Sequence, residues 1–149
     1  MSSAEVAFIG VGLFLDGKYG CLVVRNRKSK AWMMPGGHKD RSDKSFEAAA
    51  LRELREESGV VLNKKRYSVT HRSKIFFTAT TDIVMTPKIF DMRTTRGETD
   101  AYGIAVYEGS KIVVIDSHGN KHSNFRGGTI RQLKVFFSPL ASFNDRTLV

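Results

Sequence analysis

Three carboxylates, Glu53, Glu56 and Glu57, stand at i, i+3 and i+4 in the run RELREESG, residues 52–59. On a helix turning about 100° per residue they fall within an arc of roughly 100°. Phe46, Ala49 and Ala50 lie on or beside that arc, so the acids border an apolar face, where burial penalises their charge. Glu53 and Glu57 repel one another as an i, i+4 pair, and all three sit toward the negative end of the helix dipole. The plain account of such a segment is a solvated face on which Arg52 and Arg55 offset the acids. A divalent cation among the carboxylates would relieve both penalties at once. Oxygen-only ligands suit Mg2+ or Mn2+ rather than structural zinc, and the chemistry they imply is metal-assisted attack of water on phosphorus.

Other residue types could serve such a reaction. Pro35, Gly36 and Gly37 mark a sharp turn where backbone approaches something closely. His38 follows and either touches a phosphate or base or is simply exposed. Trp32 either stacks on a base or packs in the core. Arg25, Arg27, Arg93 and Arg96 are phosphate contacts by residue type, and Glu98 lies in RGETDAYG beside Asp100 and Tyr102.

The elements that must position these groups read as mixed α and β. Residues 5–15 and 20–25 are apolar, β-favouring runs separated by Asp16, Gly17 and Lys18, the pattern of a hairpin. AWMMPGG is a short strand ending in the glycine turn. From Lys44 to Ser58 the pattern is helical, with Asp43 or Ser45 as N-cap and Gly59 as the left-handed C-cap. RYSVTHRS, KIFFTATTDIVM, AYGIAVYE and KIVVIDS read as strands, and residues 87–100 as a long loop of the kind that is often functional. TIRQLKVFF admits a helix or a strand.

With 149 residues, no repeat and no linker, the chain is expected to be a single domain spanning 1–149. The formal net charge of +9 favours anionic partners, namely nucleotides, polyphosphates, RNA or DNA. The basic runs at 25–30 and 63–66 are turn-like, equally suited to solvated loops. AFIGVGLFL is too short to span a bilayer and lacks a basic flank, so no membrane segment is expected. The lone Cys21 excludes an internal disulfide and fits an intracellular, cytoplasmic setting.

Residues 35–60, PGGHKDRSDKSFEAAALRELREESGV, resemble the signature of the Nudix hydrolases, GX5EX7REUXEEXGU. Its second half matches from Arg52 to Val60, and Pro35, Gly36 and Gly37 match the usual lead-in. The resemblance implies an α+β fold, an α/β/α sandwich with a mixed sheet and one central catalytic helix. It implies hydrolysis of a nucleoside diphosphate linked to another group, with Mg2+ or Mn2+. Glu56 and Glu57 then bind metal, Glu53 binds metal or helps activate water, and Arg52 orients the acids. Gly37 offers its carbonyl to the metal, and Glu98 takes the place of the general base that the family often draws from a later loop. Counting from Gly37 puts the signature's first glutamate at Asp43; counting back from Arg52 puts it at Lys44. Either the loop carries one extra residue and a shorter acid, or the acid is missing.

The expected activity is therefore pyrophosphohydrolysis, with Glu53, Glu56, Glu57, Arg52 and Glu98 catalytic. Gly37, Glu53, Glu56 and Glu57 would hold the metal, and Gly36, Gly37, His38, Arg25 and Arg96 would meet substrate. A nucleoside triphosphate or nucleotide sugar is favoured. A dinucleoside polyphosphate, the RNA 5′ cap, and a non-catalytic nucleotide- or RNA-binding module on the same fold are the alternatives.

Overall fold

The computed structural model describes residues 5–62, 67–72, 76–84 and 98–147. Strands β1 (Val6–Leu15) and β2 (Lys18–Asn26) form the expected hairpin. Asp16 (φ 50°) and Gly17 (φ 78°) make a two-residue turn with Leu15 opposite Lys18, so β2 begins two residues before its apolar run. Positive φ at both turn positions matches the right-handed twist of the flanking strands.

The chain continues through β3 (Trp32–Met33), β4 (Gly36–His38), helix α1 (Phe46–Ser58), β5 (Tyr67–Arg72) and β6 (Phe76–Val84). After the undescribed stretch come β7 (Thr99–Glu108), β8 (Lys111–Asp116), β9 (Lys121–His122) and helix α2 (Thr129–Thr147). The sheet runs β5-β6-β1-β2-β7-β8-β9, with β3 added to β2 and β4 added to β1. Only the β1–β6 ladder among the named pairs is parallel, so the sheet is mixed. One edge of β1 is shared: residues Val6–Phe8 pair with β4 and residues Gly12–Leu15 pair with β2. That division lets the Gly36–Gly37 backbone run in beside α1.

Alternation along the strands makes the two layers. Ala7, Ile9, Val11 and Leu13 of β1 turn to one face and pack with Ala49, Ala50 and Leu54 of α1. On the opposite face Cys21, Val23, Ala105 and Val114 pack with Leu133 and Phe136 of α2. Each large apolar side chain so buried contributes about 1.5–3 kcal/mol, and these two cores clamp the sheet between helices. The result is the expected α/β/α sandwich of an α+β protein, with α1 as its central helix and α2 covering the other face among the described residues.

Three expectations are sharpened. TIRQLKVFF is the first half of α2, because Leu133 and Phe136 at i, i+3 bury one helical face. Helix α1 starts at Phe46, not Lys44, because Ser45 is the cap. The expected loop 87–100 ends earlier, since Thr99 and Asp100 already belong to β7; residues 85–97, with Arg93 and Arg96, lie outside the described residues, as does 63–66. No helix among the described residues is long and apolar enough to cross a membrane.

Candidate active site

Helix α1 is held at both ends. The Ser45 hydroxyl accepts from the Ala48 N–H at 3.0 Å, and Gly59 (φ 79°) donates its N–H to the Arg55 carbonyl at 2.8 Å. These caps fix where the three glutamates point.

Glu57 faces inward and is 3% exposed, its Oε1 accepting from the Gly36 N–H at 2.7 Å. Burial pushes its carboxyl up to about 8, against that hydrogen bond and with added repulsion from Glu53, Glu98 and Glu56. Glu53 is raised by burial in the same direction; Arg52 draws it back, while Glu56 and Glu98 push it up. A β-carbon on Gly37 would stand 2.7 Å from the Glu53 carboxyl carbon and 2.9 Å from each of its oxygens. Only glycine lets β4 come this close to the acids.

Arg52 organises the cluster. Its Nε and Nη2 each lie 3.0 Å from an Asp43 carboxylate oxygen, a bidentate pair. Nη1 donates to Glu53 Oε1 at 3.1 Å and to Glu56 Oε2 at 3.0 Å, and Nη2 also reaches the His38 carbonyl at 3.0 Å. This geometry decides between the two placements of the signature's first acid. Asp43 is buried against Arg52, which holds its carboxyl below the usual range, whereas Lys44 is exposed. The extra residue is absorbed in a turn in which the Asp43 N–H donates to the Asp40 carbonyl and the Asp40 N–H to Asp43 Oδ2.

Glu98 stands just before β7, on the far side of the undescribed stretch from α1. It is exposed, yet its charge acts on both Glu53 and Glu57. Its carbonyl accepts from the Arg27 N–H at 2.8 Å, and the buried Thr99 hydroxyl beside it donates to the Glu57 carbonyl at 2.7 Å. Nothing in the sequence singled out Thr99; its adjacency to Glu98 was the one available signal.

The candidate substrate contacts are distributed unevenly. Gly36 and Gly37 are at the acids. His38 is exposed and serves Arg52 through its backbone. Arg25 stands at the end of β2, its Nε bonded to Asp100 Oδ1 at 2.7 Å and its guanidinium 5.9 Å from the Trp32 ring centre. Lys30 also pairs with Asp100, so the basic run at 25–30 is neutralised in part within the protein. Trp32 is a core residue, fully buried. Arg25 and Asp100 line a cleft of about 430 Å³ with Tyr102, Asp116, His118 and His122, and its Asp100 lies two residues along the chain from Glu98.

The described residues hold no three His, Cys, Asp or Glu side chains already converged as a closed cation cage. Arg52 occupies one oxygen each of Glu53 and Glu56, and Gly36 one of Glu57. The donor set still suits a hard divalent ion: mutually repelling carboxylates, two of them poorly solvated, against a glycine backbone.

The site is thus an acidic, Arg-organised helix on one layer of the sandwich with a glycine turn facing it. The NUDIX domain family matches residues 6–95, more than half of the chain. The chain belongs to the NUDIX domain family. Among solved structures it is similar to a MutT/nudix family protein from Enterococcus faecalis, with TM-score 0.59 and 13% identity over 92% of this chain. The chain spans 61% of that protein's length. It also matches a MutT NUDIX hydrolase from Burkholderia pseudomallei, with TM-score 0.46 and 16% identity over 86% of this chain and 96% of that one. A C. elegans Ap4A hydrolase matches with TM-score 0.48 and 18% identity over 66% of this chain and 77% of that one. No curated protein sequence matches.

Proposed function

We propose that this chain hydrolyses a phosphoanhydride bond in a nucleoside diphosphate-linked substrate, a nucleoside triphosphate or nucleotide sugar, with Mg2+ or Mn2+. The observation that carries this is the gathering of Glu53 and Glu56 on the Arg52 guanidinium and of Glu57 on the Gly36 N–H, three acids held against the Gly36–Gly37 backbone despite their repulsion. The Gly37 carbonyl, Glu53, Glu56 and Glu57 would hold the metal. A bound divalent ion supplies charge neutralisation at the phosphoryl oxygens and makes nearby water more acidic.

The protein's own groups then have separable tasks. Arg52 keeps Glu53 and Glu56 in register with the helix and with Asp43. The Gly36 N–H fixes the buried Glu57. Glu98, exposed at the rim, accepts the proton of the attacking water. Water oxygen bonds to phosphorus, the bridging P–O bond breaks, and a nucleoside monophosphate is one product. Arg25 has guanidinium N–H groups beyond the Nε bonded to Asp100, and these suit a phosphate at the mouth of the cleft. The cleft is large enough for one further group of the substrate.

Incubation with nucleoside triphosphates, nucleotide sugars, dinucleoside polyphosphates and capped RNA in Mg2+ or Mn2+, with products separated by ion exchange, tests this directly. One substrate class should turn over, and the products locate the bond cut. Glu56→Gln should reduce kcat by about a thousandfold or more. Equal rates for Glu56→Gln and wild type at saturating Mg2+ would end the catalytic assignment.

A further inference from the structure

We propose that Thr99 is a positioning residue, whose hydroxyl ties the start of β7 to the last turn of α1 and so fixes how close Glu98 stands to Glu53 and Glu57. This rests on the reading of Glu98 as a member of the site.

Glu98 is an exposed residue one position before Thr99, whose hydroxyl reaches Glu57, an acid of the same sign as Glu98. Repulsion drives such a side chain outward into solvent, and the backbone must resist. Thr99 is 0% exposed and its Oγ1 donates to the Glu57 carbonyl at 2.7 Å. The acceptor is one of the last carbonyls of a helix, which has no partner within the helix itself. The tie therefore joins the residue next to Glu98 to the peptide of Glu57, one of the three helix acids. Two neighbours reinforce it. The Arg27 N–H bonds the Glu98 carbonyl, and Asp100 is ion-paired to Arg25 and Lys30. The β2–β7 ladder passes from Arg25↔Ala101 to Asn26↔Thr99, so Asp100 is the extra residue of a bulge. A bulge re-aims the chain at the point where it enters the site. Valine at 99 would keep the shape and lose the hydroxyl; serine would keep the hydroxyl.

Thr99→Val and Thr99→Ser are compared in the wild-type and Glu98→Gln backgrounds, at a temperature where circular dichroism shows every variant folded. Mn2+ binding is read by electron paramagnetic resonance, and kcat and KM with the panel substrate that turns over fastest. Thr99→Val should weaken Mn2+ binding about threefold or more, because Glu98, which is not a ligand, then brings its negative charge less close to the cation, and should lower kcat about tenfold, with KM within about twofold. Thr99→Ser should restore both. In the Glu98→Gln background Thr99→Val should add less than about a twofold loss, because the tie acts through Glu98. Wild-type Mn2+ affinity and kcat in Thr99→Val would overturn the proposal, as would losses that multiply in full with Glu98→Gln. If wild type turns over nothing in the panel, the hydrolytic reading fails, while the Mn2+ comparison still decides the role of Thr99.

Discussion

Arg52 is the residue on which the acids depend, since one guanidinium meets Asp43, Glu53, Glu56 and the His38 carbonyl. The Asp43 pair is bidentate and buried on the Asp43 side, and in such pairs removing one partner costs more than the pair contributes. Here the remaining contacts to Glu53 and Glu56 soften the loss. Asp43→Ala should therefore lower stability by about 1–3 kcal/mol and kcat by about tenfold, well short of the Glu56→Gln effect. Lys44→Ala should fall within about 0.5 kcal/mol of wild type, as exposed substitutions do. Urea unfolding and steady-state rates on both variants check the assignment, and a larger effect at Lys44 than at Asp43 would reverse it. The glutamates were legible in the sequence because spacing alone puts them on one side of a helix. The Asp43 partnership was not, because counting from Gly37 and counting back from Arg52 give positions one residue apart, and only the Arg52–Asp43 pair in space distinguishes them.

At the scale of elements, helix α1 was readable because its caps and its apolar stripe agree, with Ser45 before Phe46 and Gly59 after Ser58. Gly59 holds φ 79°, where a β-carbon is strained, so Gly59→Ala should cost about 1 kcal/mol. Because the caps orient Glu53, Glu56 and Glu57, the same substitution should reduce kcat more than it raises KM. Thermal unfolding and steady-state kinetics together test it; a drop in melting temperature with unchanged kcat would mean the last turn does not orient the acids. The hairpin was readable for a comparable reason, since Asp16 and Gly17 both tolerate positive φ. Helix α2 was ambiguous because a short apolar run looks alike in either state, and burial of Leu133 and Phe136 against Cys21, Val23 and Val114 decides it. The meeting of β7 with α1 was invisible for a different reason. Thr99 and Glu57 are 42 residues apart in sequence, and no local pattern reports a side chain that bonds to a distant helix end.

The whole molecule sets two electrical scales against each other. A net charge of +9 draws polyanions toward the surface, while one end of α1 gathers three acids. The cost of gathering them is measurable without any substrate. Glu57 has its carboxyl raised from 4.5 to about 8 by burial first and by Glu53, Glu98 and Glu56 after it. A carboxyl raised on folding keeps its proton in the native state while the unfolded chain has lost it. Between those values the unfolded state binds fewer protons, so stability falls as pH rises from about 4.5 to about 8. Glu53 is raised and adds to the same slope, whereas Asp43 and Asp100, which are lowered, contribute stability that is lost only at more acid pH. In EDTA, the melting temperature of wild type should therefore decline from about pH 5 to about pH 8, and Glu57→Gln should flatten that decline. Millimolar Mn2+ should stabilise wild type more at the alkaline end, because ligation requires the deprotonated carboxylate, and should stabilise Glu57→Gln little at any pH. Parallel melting profiles for the two proteins in EDTA would show that the buried glutamate is not the group that burdens the fold, and an equal Mn2+ gain in both would remove Glu57 from the metal's ligands.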